Sequence, residues 1–416
     1  MATGKQTKTS RFDLDSPEWY LNRELTWLAF NKRVLHEGDD DRVPLLERLF
    51  FVAVVGSNLD EFFMKRIGGL KQQVGAGVRR KTVDGMFPQE QIDACYEQAR
   101  KLLQEQRRIE NDLRILLEKQ GITFCSYKAL SPAQKKEMDR FFHAEIYPLL
   151  TPQGIDPAHP FPFISNLSLN LLVTASEGPN GHVFMNRIKV PHGVGVPRFL
   201  KVGKKNLFIT FEELIANNLD ALFPGLHIHS AELFRVTRNA ITDRMEEQAN
   251  DLLSMIESAL RDRKFADIVK LQVNSEMIPQ HRGMLAAELG IDEANDLFEA
   301  PGLLAKRDLM ELCKIDKPAL HYPAHQPCDH PQLVIDEPNI FHIIRTQKSI
   351  LLQHPYESFE ASVERFLREA SRDPKVLVIK MTLYRTSSDS RIIQYLIDAA
   401  QNGKQVAVVV ELLARF

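Results

Sequence analysis

Residues 376–384 read VLVIKMTLY and residues 406–414 read VAVVVELLA, two nearly continuous apolar runs. Between them, residues 391–402 carry apolar side chains at helical spacing, and Gly403 is placed to end that helix. Apolar runs that do not alternate are typical of strands buried on both faces of a sheet. The stretch therefore predicts a strand, a helix and a second, parallel strand, joined by a right-handed crossover.

An arginine follows each of these strands, Arg385 after the first and Arg415 after the second. Parallel strands of one crossover unit end at the same edge of the sheet, and open α/β sheets bind ligands at that edge. Neighbouring strands lie about 4.8 Å apart, so the two guanidinium groups fit a phosphate or a phosphate chain. Ser388, Asp389 or Ser390 can cap the intervening helix, whose N-terminus also favours anions.

The composition is that of an ordinary soluble globular protein, with 44% hydrophobic and 26% charged residues among 416. A formal net charge of −2 argues against a nucleic-acid partner, so any anion site must be local. No apolar run reaches the ~18 residues of a membrane span, and the N-terminus lacks the apolar region of a secretory signal. Four scattered cysteines favour reduced thiols and a cytoplasmic location.

The distribution of periodic segments and prolines divides the chain into five parts. A polar tail that is expected to be disordered precedes an all-helical domain, and a domain that mixes strands and helices follows. A proline-rich segment is the expected linker to the strand–helix–strand unit, which belongs to a further α/β domain. The boundaries of these parts are 1–18, 19–121, 122–317, 318–338 and 339–416.

Local signals predict the elements of the first two domains. Gly56-Ser57-Asn58 is expected to interrupt the second helix, and Ser57 or Asn58 is expected to cap the helix that starts again after it. Gly121 is placed to end the third helix, and Ser131 followed by Pro132 is a helix start. The prolines of TPQGIDPAHPFPF are expected to prevent regular structure. Helices are predicted at 19–37, 43–73, 89–120, 132–149, 212–223, 243–264 and 280–300, and strands in LSLNLLVT, HVFMNRIKVP, LFITF, LHIHSAELFRVTR and DIVKLQV.

Motifs along the chain resemble the bacterial polyphosphate kinases that work through a phosphohistidine. NRELTWLAFNKRVLHE and PLLERLFFVAVVGSNLDEFFMKRIGGL resemble their N-terminal domain, and PAHPFPFISNLSLNL and FRVTRNA resemble their middle, or head, domain. KMTLYRTSSDSRIIQYLIDAAQNGKQVAVVVELLARF is similar to the start of their first catalytic domain. The resemblance covers residues 19–416. It implies a multidomain fold with an all-α N-terminal domain, an α+β head domain and the start of an α/β phospholipase D-like domain.

The resemblance implies an enzyme that reversibly transfers the ATP γ-phosphoryl group to inorganic polyphosphate through a phosphohistidine. It also implies ATP or ADP and polyphosphate as partners, Mg²⁺ as cofactor and a homo-oligomer. Asn58 matches an asparagine that contacts the nucleotide in that family. Arg385 and Arg415 match arginines at its phosphate and magnesium site. Because arginine has no free acceptor for a metal ion, its expected role there is to grip phosphate oxygens.

The nucleophilic histidine of that family is expected to lie outside these residues. In the family it lies in a later segment where a histidine precedes a glycine-rich turn, and no stretch of this chain matches that segment. A GxxxxGK[ST] P-loop and an HxK pair are missing from the sequence as well. The chain, which stops at Phe416, is therefore expected to be a truncated form that binds substrates without turnover.

A few positions depart from the family pattern. Asn239-Ala240 follows FRVTR in place of an acidic pair, Ser349 replaces an aspartate, and Gln353 replaces a histidine. Two rival functions are also left open. One is a phospholipase D-like phosphodiesterase or transferase, and the other is a non-catalytic scaffold that binds polyphosphate or nucleotide.

Two further groups of residues are open to interpretation. His321, His325, Cys328 and His330 are zinc-ligand types, but their spacing fits no standard site and favours a solvated linker.

Lys380 and Glu411 are the lone charges in the two apolar runs. Because a buried charge is costly alone, they are predicted to pair. Two strands alone cannot bury both faces of a sheet, so Val408, Val410 and Leu412 are expected to be partly exposed or covered by another copy.

Overall fold

The structure, a computed structural model, describes residues 13–156, 158–179, 181–193, 195–240, 266–333, 339–383 and 390–410. The chain divides after Tyr322 into two compact units, residues 1–322 and 323–416. The first unit combines a helical N-terminal region with mixed sheets, and the second contains a parallel strand pair. Within the described part of the chain, no helix has the length and apolar character needed to cross a membrane.

The N-terminal region is helical, as the periodicity of its apolar residues predicted. One turn of π-helix at Phe63–Ile67 divides the second predicted helix into two. Asn22 caps the first helix by accepting hydrogen bonds from the backbone N–H groups of Glu24 and Leu25. The helices are α1 (Arg23–Asp39), α2 (Leu45–Phe62), α3 (Gly68–Gly75) and α4 (Pro88–Lys119).

The expected break at Gly56-Ser57-Asn58 is wrong, because α2 continues through all three residues. A Cβ atom on Gly56 would lie 2.9 Å from the backbone nitrogen of Arg307 and 3.3 Å from the carbonyl carbon of Lys306. Gly56 therefore lets a later backbone segment pack directly on α2, rather than ending the helix. Asn58 lies inside the helix, so it is not a helix cap.

Two of the local helix signals are confirmed. α4 ends at Lys119, and Gly121 adopts a positive φ of 72° just beyond it. Ser131 caps α5 (Pro132–Phe141) by accepting a hydrogen bond from the backbone N–H of Gln134. A π-helical turn and a 3₁₀ turn continue α5 to Leu149, the end predicted from the sequence.

Two sheets follow the helical region in the first unit. The strands are β1 (Ile122–Phe124), β2 (Gln153–Ile155), β3 (Leu169–Ser176), β4 (Val183–Lys189), β5 (Phe199–Lys201), β6 (Asn206–Thr210), β7 (His227–Arg238), β8 (Ile268–Asn274) and β9 (Leu297–Ala300). A six-stranded sheet has the order β2–β4–β3–β7–β8–β9, and only its β8–β9 pair is parallel. The order of the three-stranded sheet is β1–β6–β5.

Two predictions for this part need correction. The proline-rich stretch forms one short strand, β2, because its backbone pairs with the edge of β4. Residues 280–300 are not one helix, since their end pairs with β8 as strand β9. The helix predicted at 243–264 lies outside the described residues. The remaining helices of the unit are α6 (Phe211–Ala216), α7 (Leu219–Leu222), α8 (Pro279–Glu288) and α9 (Glu293–Asp296).

One apolar core joins the helical region to the sheets. The rings of Phe63 and Tyr96 stack with centroids 5.9 Å apart, and both meet Phe298 of β9 edge-on, at 5.2 and 5.5 Å. All three rings are buried, and each such aromatic pair adds about 0.5–1.5 kcal/mol beyond its area burial. The core therefore holds α2 and α4 in fixed positions against the six-stranded sheet.

The second unit confirms the predicted strand–helix–strand arrangement. Its strands β10 (Val378–Leu383) and β11 (Gln405–Val410) pair in parallel. The connecting helix is α12 (Arg391–Gln401), and α10 (Ile340–Gln347) and α11 (Arg365–Arg372) come before it.

Among the described residues, these two strands are not buried on both faces. Ile379 packs with Leu396 of α12 on one face of the strand pair. On β11, Val408, Val409 and Val410 are 37%, 69% and 53% exposed. The partial exposure expected for Val408 and Val410 is therefore confirmed, and Leu412 lies outside the described residues.

Candidate nucleotide and phosphate site

Asn58 is a half-buried residue about one turn before the end of α2. Its Nδ2 donates a hydrogen bond of 2.8 Å to Oδ1 of Asn31, which is fully buried. Asn31 in turn donates to the backbone carbonyl of Trp27 at 3.0 Å. This chain of hydrogen bonds fixes the Asn58 amide. Among the described residues no donor reaches its Oδ1, which remains an acceptor.

A buried ion pair two residues further on anchors α2 to the six-stranded sheet. Arg235 of β7 donates to both carboxylate oxygens of Asp60, at 2.9 and 2.5 Å. Arg235 also donates to Oε1 of Gln272 and to the backbone carbonyl of Leu167, both at 3.2 Å. The helix that carries Asn58 therefore cannot shift along the sheet without breaking a charge-assisted network.

Lys270 of β8 is the second cation beside Asp60. Its side chain is enclosed, with Nζ 4.2 Å from the centroid of the Phe63 ring. Burial lowers the pKa of Lys270 from 10.5 to about 8, although the charge of Asp60 acts in the opposite direction. The sequence reasoning missed this network. Asp60 has Glu61 beside it and shows no local sign of a distant partner, and of the three residues only Lys270 is a lone charge in an apolar run.

The segment that departs from the family motif packs on the start of α3. The backbone N–H of Asn239 donates to the carbonyl of Asp267 at 2.8 Å, and that of Ala240 donates to the carbonyl of Met64 at 2.8 Å. A Cβ atom on Gly68 would overlap the side-chain amide of Asn239. Asn239, the residue after FRVTR, thus occupies space that is open only because residue 68 of the neighbouring helix is glycine.

The predicted phosphate site belongs to the edge of β10 and β11. Leu383 and Val410 are register partners and the last described residues of these strands, so both strands lead to one edge. Arg385 and Arg415 follow them in sequence and lie outside the described residues, as do Ser388 and Asp389. Ser390 is the N-cap residue of α12, although its side chain makes no capping hydrogen bond.

The pairing of Lys380 with Glu411 was predicted because both charges were expected to be buried, and this reason does not hold for Lys380. Lys380 is exposed, so its charge requires no buried partner. Its register partner on β11 is Ala407. Glu411 lies outside the described residues.

The four candidate zinc ligands have separate partners. His321 contacts Oε1 of Glu47 at 2.9 Å, which raises the pKa of the histidine. His325 contacts the carbonyl of Pro355 at 2.9 Å. His330 lies 3.7 Å from a carboxylate oxygen of Glu357, and the backbone of Cys328 pairs with that of residues 356–358. Throughout the described residues, no three metal-ligating side chains group together.

Three family profiles match consecutive parts of the chain. Residues 20–125 match the polyphosphate kinase N-terminal domain, residues 133–312 the polyphosphate kinase middle domain, and residues 339–416 the polyphosphate kinase C-terminal domain 1. The chain belongs to the polyphosphate kinase family. This confirms the resemblance seen in the motifs of the sequence.

Curated polyphosphate kinases match this family member over nearly its whole length. The chain is 43% identical to that of Thermosynechococcus vestitus and 44% identical to that of Synechocystis sp., each over 97% of this chain. The polyphosphate kinase of Mycobacterium marinum is 42% identical over 95% of the chain. The chain spans 59% of the length of the first two relatives and 55% of the third.

A solved polyphosphate kinase has a similar structure. The crystal structure of polyphosphate kinase from Porphyromonas gingivalis superposes with a TM-score of 0.79 at 26% sequence identity. The superposition covers 95% of this chain and 56% of that one. The helical N-terminal region and the mixed sheets are therefore features shared with a relative of known structure.

Proposed function

We propose that this protein is an ATP–polyphosphate phosphotransferase that moves the ATP γ-phosphoryl group reversibly onto inorganic polyphosphate through a phosphohistidine. The observation that carries the proposal is the match of three polyphosphate kinase profiles in succession between residues 20 and 416. Because the three profiles, the relatives and the solved structure named above are all polyphosphate kinases, neither a phospholipase D-like phosphodiesterase nor a non-catalytic scaffold is favoured. We also propose that the protein is a cytoplasmic homo-oligomer. β10 and β11 are proposed to belong to a phospholipase D-like domain.

Asn58 is proposed to position the nucleotide. One N–H of its Nδ2 is held by Asn31, so its Oδ1 and the second N–H are the groups offered to ATP or ADP. The Asp60–Arg235 pair holds α2 in place, which reduces the cost of ordering this side chain when the nucleotide binds. Asn58 therefore contributes orientation rather than charge.

Arg385 and Arg415 are proposed to grip phosphate oxygens at the edge where β10 and β11 end. The register of Leu383 with Val410 supports this, because the two chain segments leave neighbouring strands on one side. Two guanidinium groups at such an edge match the charge and the planar oxygen pairs of a phosphate chain.

Mg²⁺ is proposed to reach this edge bound to the phosphates. Arginine has no lone pair for a metal ion, and the described residues contain no cluster of three metal-ligating side chains. When bound, Mg²⁺ would neutralise charge on the phosphate oxygens. The arginines would then hold the oxygens that the metal leaves free. We assign no nucleophile to residues 1–416.

A chimera tests the proposed function. Residues 1–416 are fused to the part of the Thermosynechococcus vestitus polyphosphate kinase that lies beyond its matched region. The fusion is expected to form polyphosphate from ATP and Mg²⁺, whereas residues 1–416 alone and the other part alone are not. A folded fusion that neither binds ATP nor forms polyphosphate, beside an active relative, would reject the proposal.

A further inference from the structure

Arg187 of β4 is a buried cation without a carboxylate partner. The residue is 6% exposed. Its Nε donates to Oδ1 of Asn170 at 2.7 Å, and its Nη1 donates to Oε1 of Gln153 at 2.6 Å. Burial lowers the pKa of the guanidinium, and no acidic side chain of the described residues pairs with it to oppose that effect. Among the described residues, two neutral amides are therefore the groups that solvate its charge.

Two other buried arginines of the same unit have carboxylate partners, whereas Arg238 donates to the backbone carbonyls of Ile164 and Ala266. Arg198 is fully buried and contacts carboxylate oxygens of Glu212 and Asp308, at 2.5 and 3.1 Å. Arg235 has Asp60. An ion withdrawn from water without a counterion costs several kcal/mol. Arg187 has neither the carboxylates of Arg198 and Arg235 nor the two backbone carbonyls of Arg238, a difference that points to an anion supplied from outside the chain.

The surroundings of Arg187 provide further donors on the same face of the sheet. Side chains alternate along a strand, so Lys189 points to the same side as Arg187, and it is exposed. Gln153 of β2 is exposed and lies directly opposite Arg187 in the strand register. Because a guanidinium can only donate, the oxygen of Gln153 faces Arg187 and its Nε2 is left as a donor.

One edge of the guanidinium remains available. Nη2 of Arg187 has no acceptor among the described residues. Nη2 is not fully enclosed by the protein, so solvent reaches it. A ligand approaching this face would meet the free N–H groups of Arg187, the ammonium of Lys189 and the amide of Gln153.

We propose that Arg187, Lys189 and Gln153 form a binding site for a phosphate group, supplied by orthophosphate or by the end of a polyphosphate chain. Two positive charges match the charge of about −1.5 to −2 that a terminal phosphate carries at neutral pH. Donors on three separate side chains suit a tetrahedral group with several oxygens better than a planar monocarboxylate. The inference does not require the proposed transferase activity, because it uses only charges on the six-stranded sheet.

The test measures binding of orthophosphate and tripolyphosphate by calorimetry at constant ionic strength. It uses residues 1–416 carrying Arg385→Gln and Arg415→Gln, which removes the arginines of the strand-edge site. Arg187→Gln is expected to weaken binding at least about tenfold, the loss of a charge-assisted hydrogen bond. Lys189→Met lies at an exposed position that leaves folding intact, and it is expected to weaken binding several-fold. Lys204→Met, at an exposed turn, is the matched control and should change nothing.

The two probes distinguish the source of the phosphate. Tighter binding of tripolyphosphate identifies a chain end, and equal or tighter binding of orthophosphate identifies the free ion. Unchanged affinity in both Arg187→Gln and Lys189→Met would overturn the proposal. A change of sedimentation in Lys189→Met without a change in phosphate affinity would overturn it too, since this face would then be a contact between copies. ATP affinity, which depends on Asn58 in the proposed function, should be unaffected by Lys189→Met.

Discussion

Asp60 of α2 and Arg235 of β7 form a two-pronged ion pair in which both side chains are almost fully buried, at 5% and 2% exposure. The residues are 175 positions apart in the chain, so the pair ties the helical N-terminal region to the six-stranded sheet. Asn58 precedes Asp60 by two residues on the same helix. The ion pair therefore also fixes the position of Asn58, the candidate residue for nucleotide binding.

Asp60→Asn is expected to lower the free energy of unfolding by about 3–5 kcal/mol, because it leaves the Arg235 charge buried without a partner. Urea unfolding followed by circular dichroism measures the change. Glu97→Gln breaks the exposed pair with Lys101 and is the control, with an expected loss below about 1 kcal/mol. The double replacement of Asp60 and Arg235 by leucine should recover much of the loss. A double variant less stable than Asp60→Asn would contradict this account.

Lys270 is expected to make stability rise with pH. Its pKa is about 8 in the folded protein and 10.5 in the reference state. Between these values the unfolded chain binds more protons than the folded one, so the free energy of unfolding increases with pH. Relative to Lys270→Met, the wild type should gain up to roughly 3 kcal/mol between pH 8 and pH 10.5. Urea unfolding at several pH values measures this, and parallel curves for the two proteins would refute it.

Gly68 and Gly56 are expected to respond differently to the same substitution. Gly68→Ala should destabilise by about 1–3 kcal/mol, because its Cβ atom overlaps the Asn239 amide. Adding Asn239→Ala removes the overlapping atoms and should restore much of the stability. Gly56→Ala meets the backbone of Arg307, so no side-chain replacement should rescue it. Thermal unfolding of the three variants decides; failure of Asn239→Ala to rescue Gly68→Ala would disprove the overlap.

The sequence carried enough information for elements that depend on local chemistry. Ser131 with Pro132 and the glycine at 121 mark helix ends through hydrogen bonds and φ values within a few residues. The strand–helix–strand unit was also predictable, because two apolar runs flank one helical period.

Features that depend on distant partners were not predictable from single-sequence patterns. Gly56 resembled a helix break, and the backbone that explains it comes from residues 306–307. Asp60 and Arg235 carried no local sign of their pairing. Asn58 was identified only through family resemblance, because an amide inside a helix has no distinctive pattern.

Asn58→Ala is expected to weaken ATP binding about tenfold and to lower the unfolding temperature modestly, because the buried Oδ1 of Asn31 loses its donor. One hydrogen bond to the nucleotide is lost, whereas the helix keeps its Asp60–Arg235 anchor. Ser57→Ala, at the preceding half-buried position of α2, is the control and should bind ATP normally. Calorimetric titration with ATP and Mg²⁺ gives the affinities. Equal affinities for Asn58→Ala and the wild type would remove Asn58 from the nucleotide site.

The two faces of the β10–β11 pair should differ in their tolerance of substitution. Ile379 is 8% exposed and packs with Leu396 and Leu367, so Ile379→Ala is expected to cost about 2–4 kcal/mol. Val409 is 69% exposed, and Val409→Lys is expected to change stability by no more than about 0.5 kcal/mol. Urea unfolding of residues 1–416 measures both, with amide hydrogen exchange of Val409 as a second readout. If Val409→Lys proved as destabilising as Ile379→Ala, the outer face of β11 would be covered in solution, by another copy or by residues beyond the described ones.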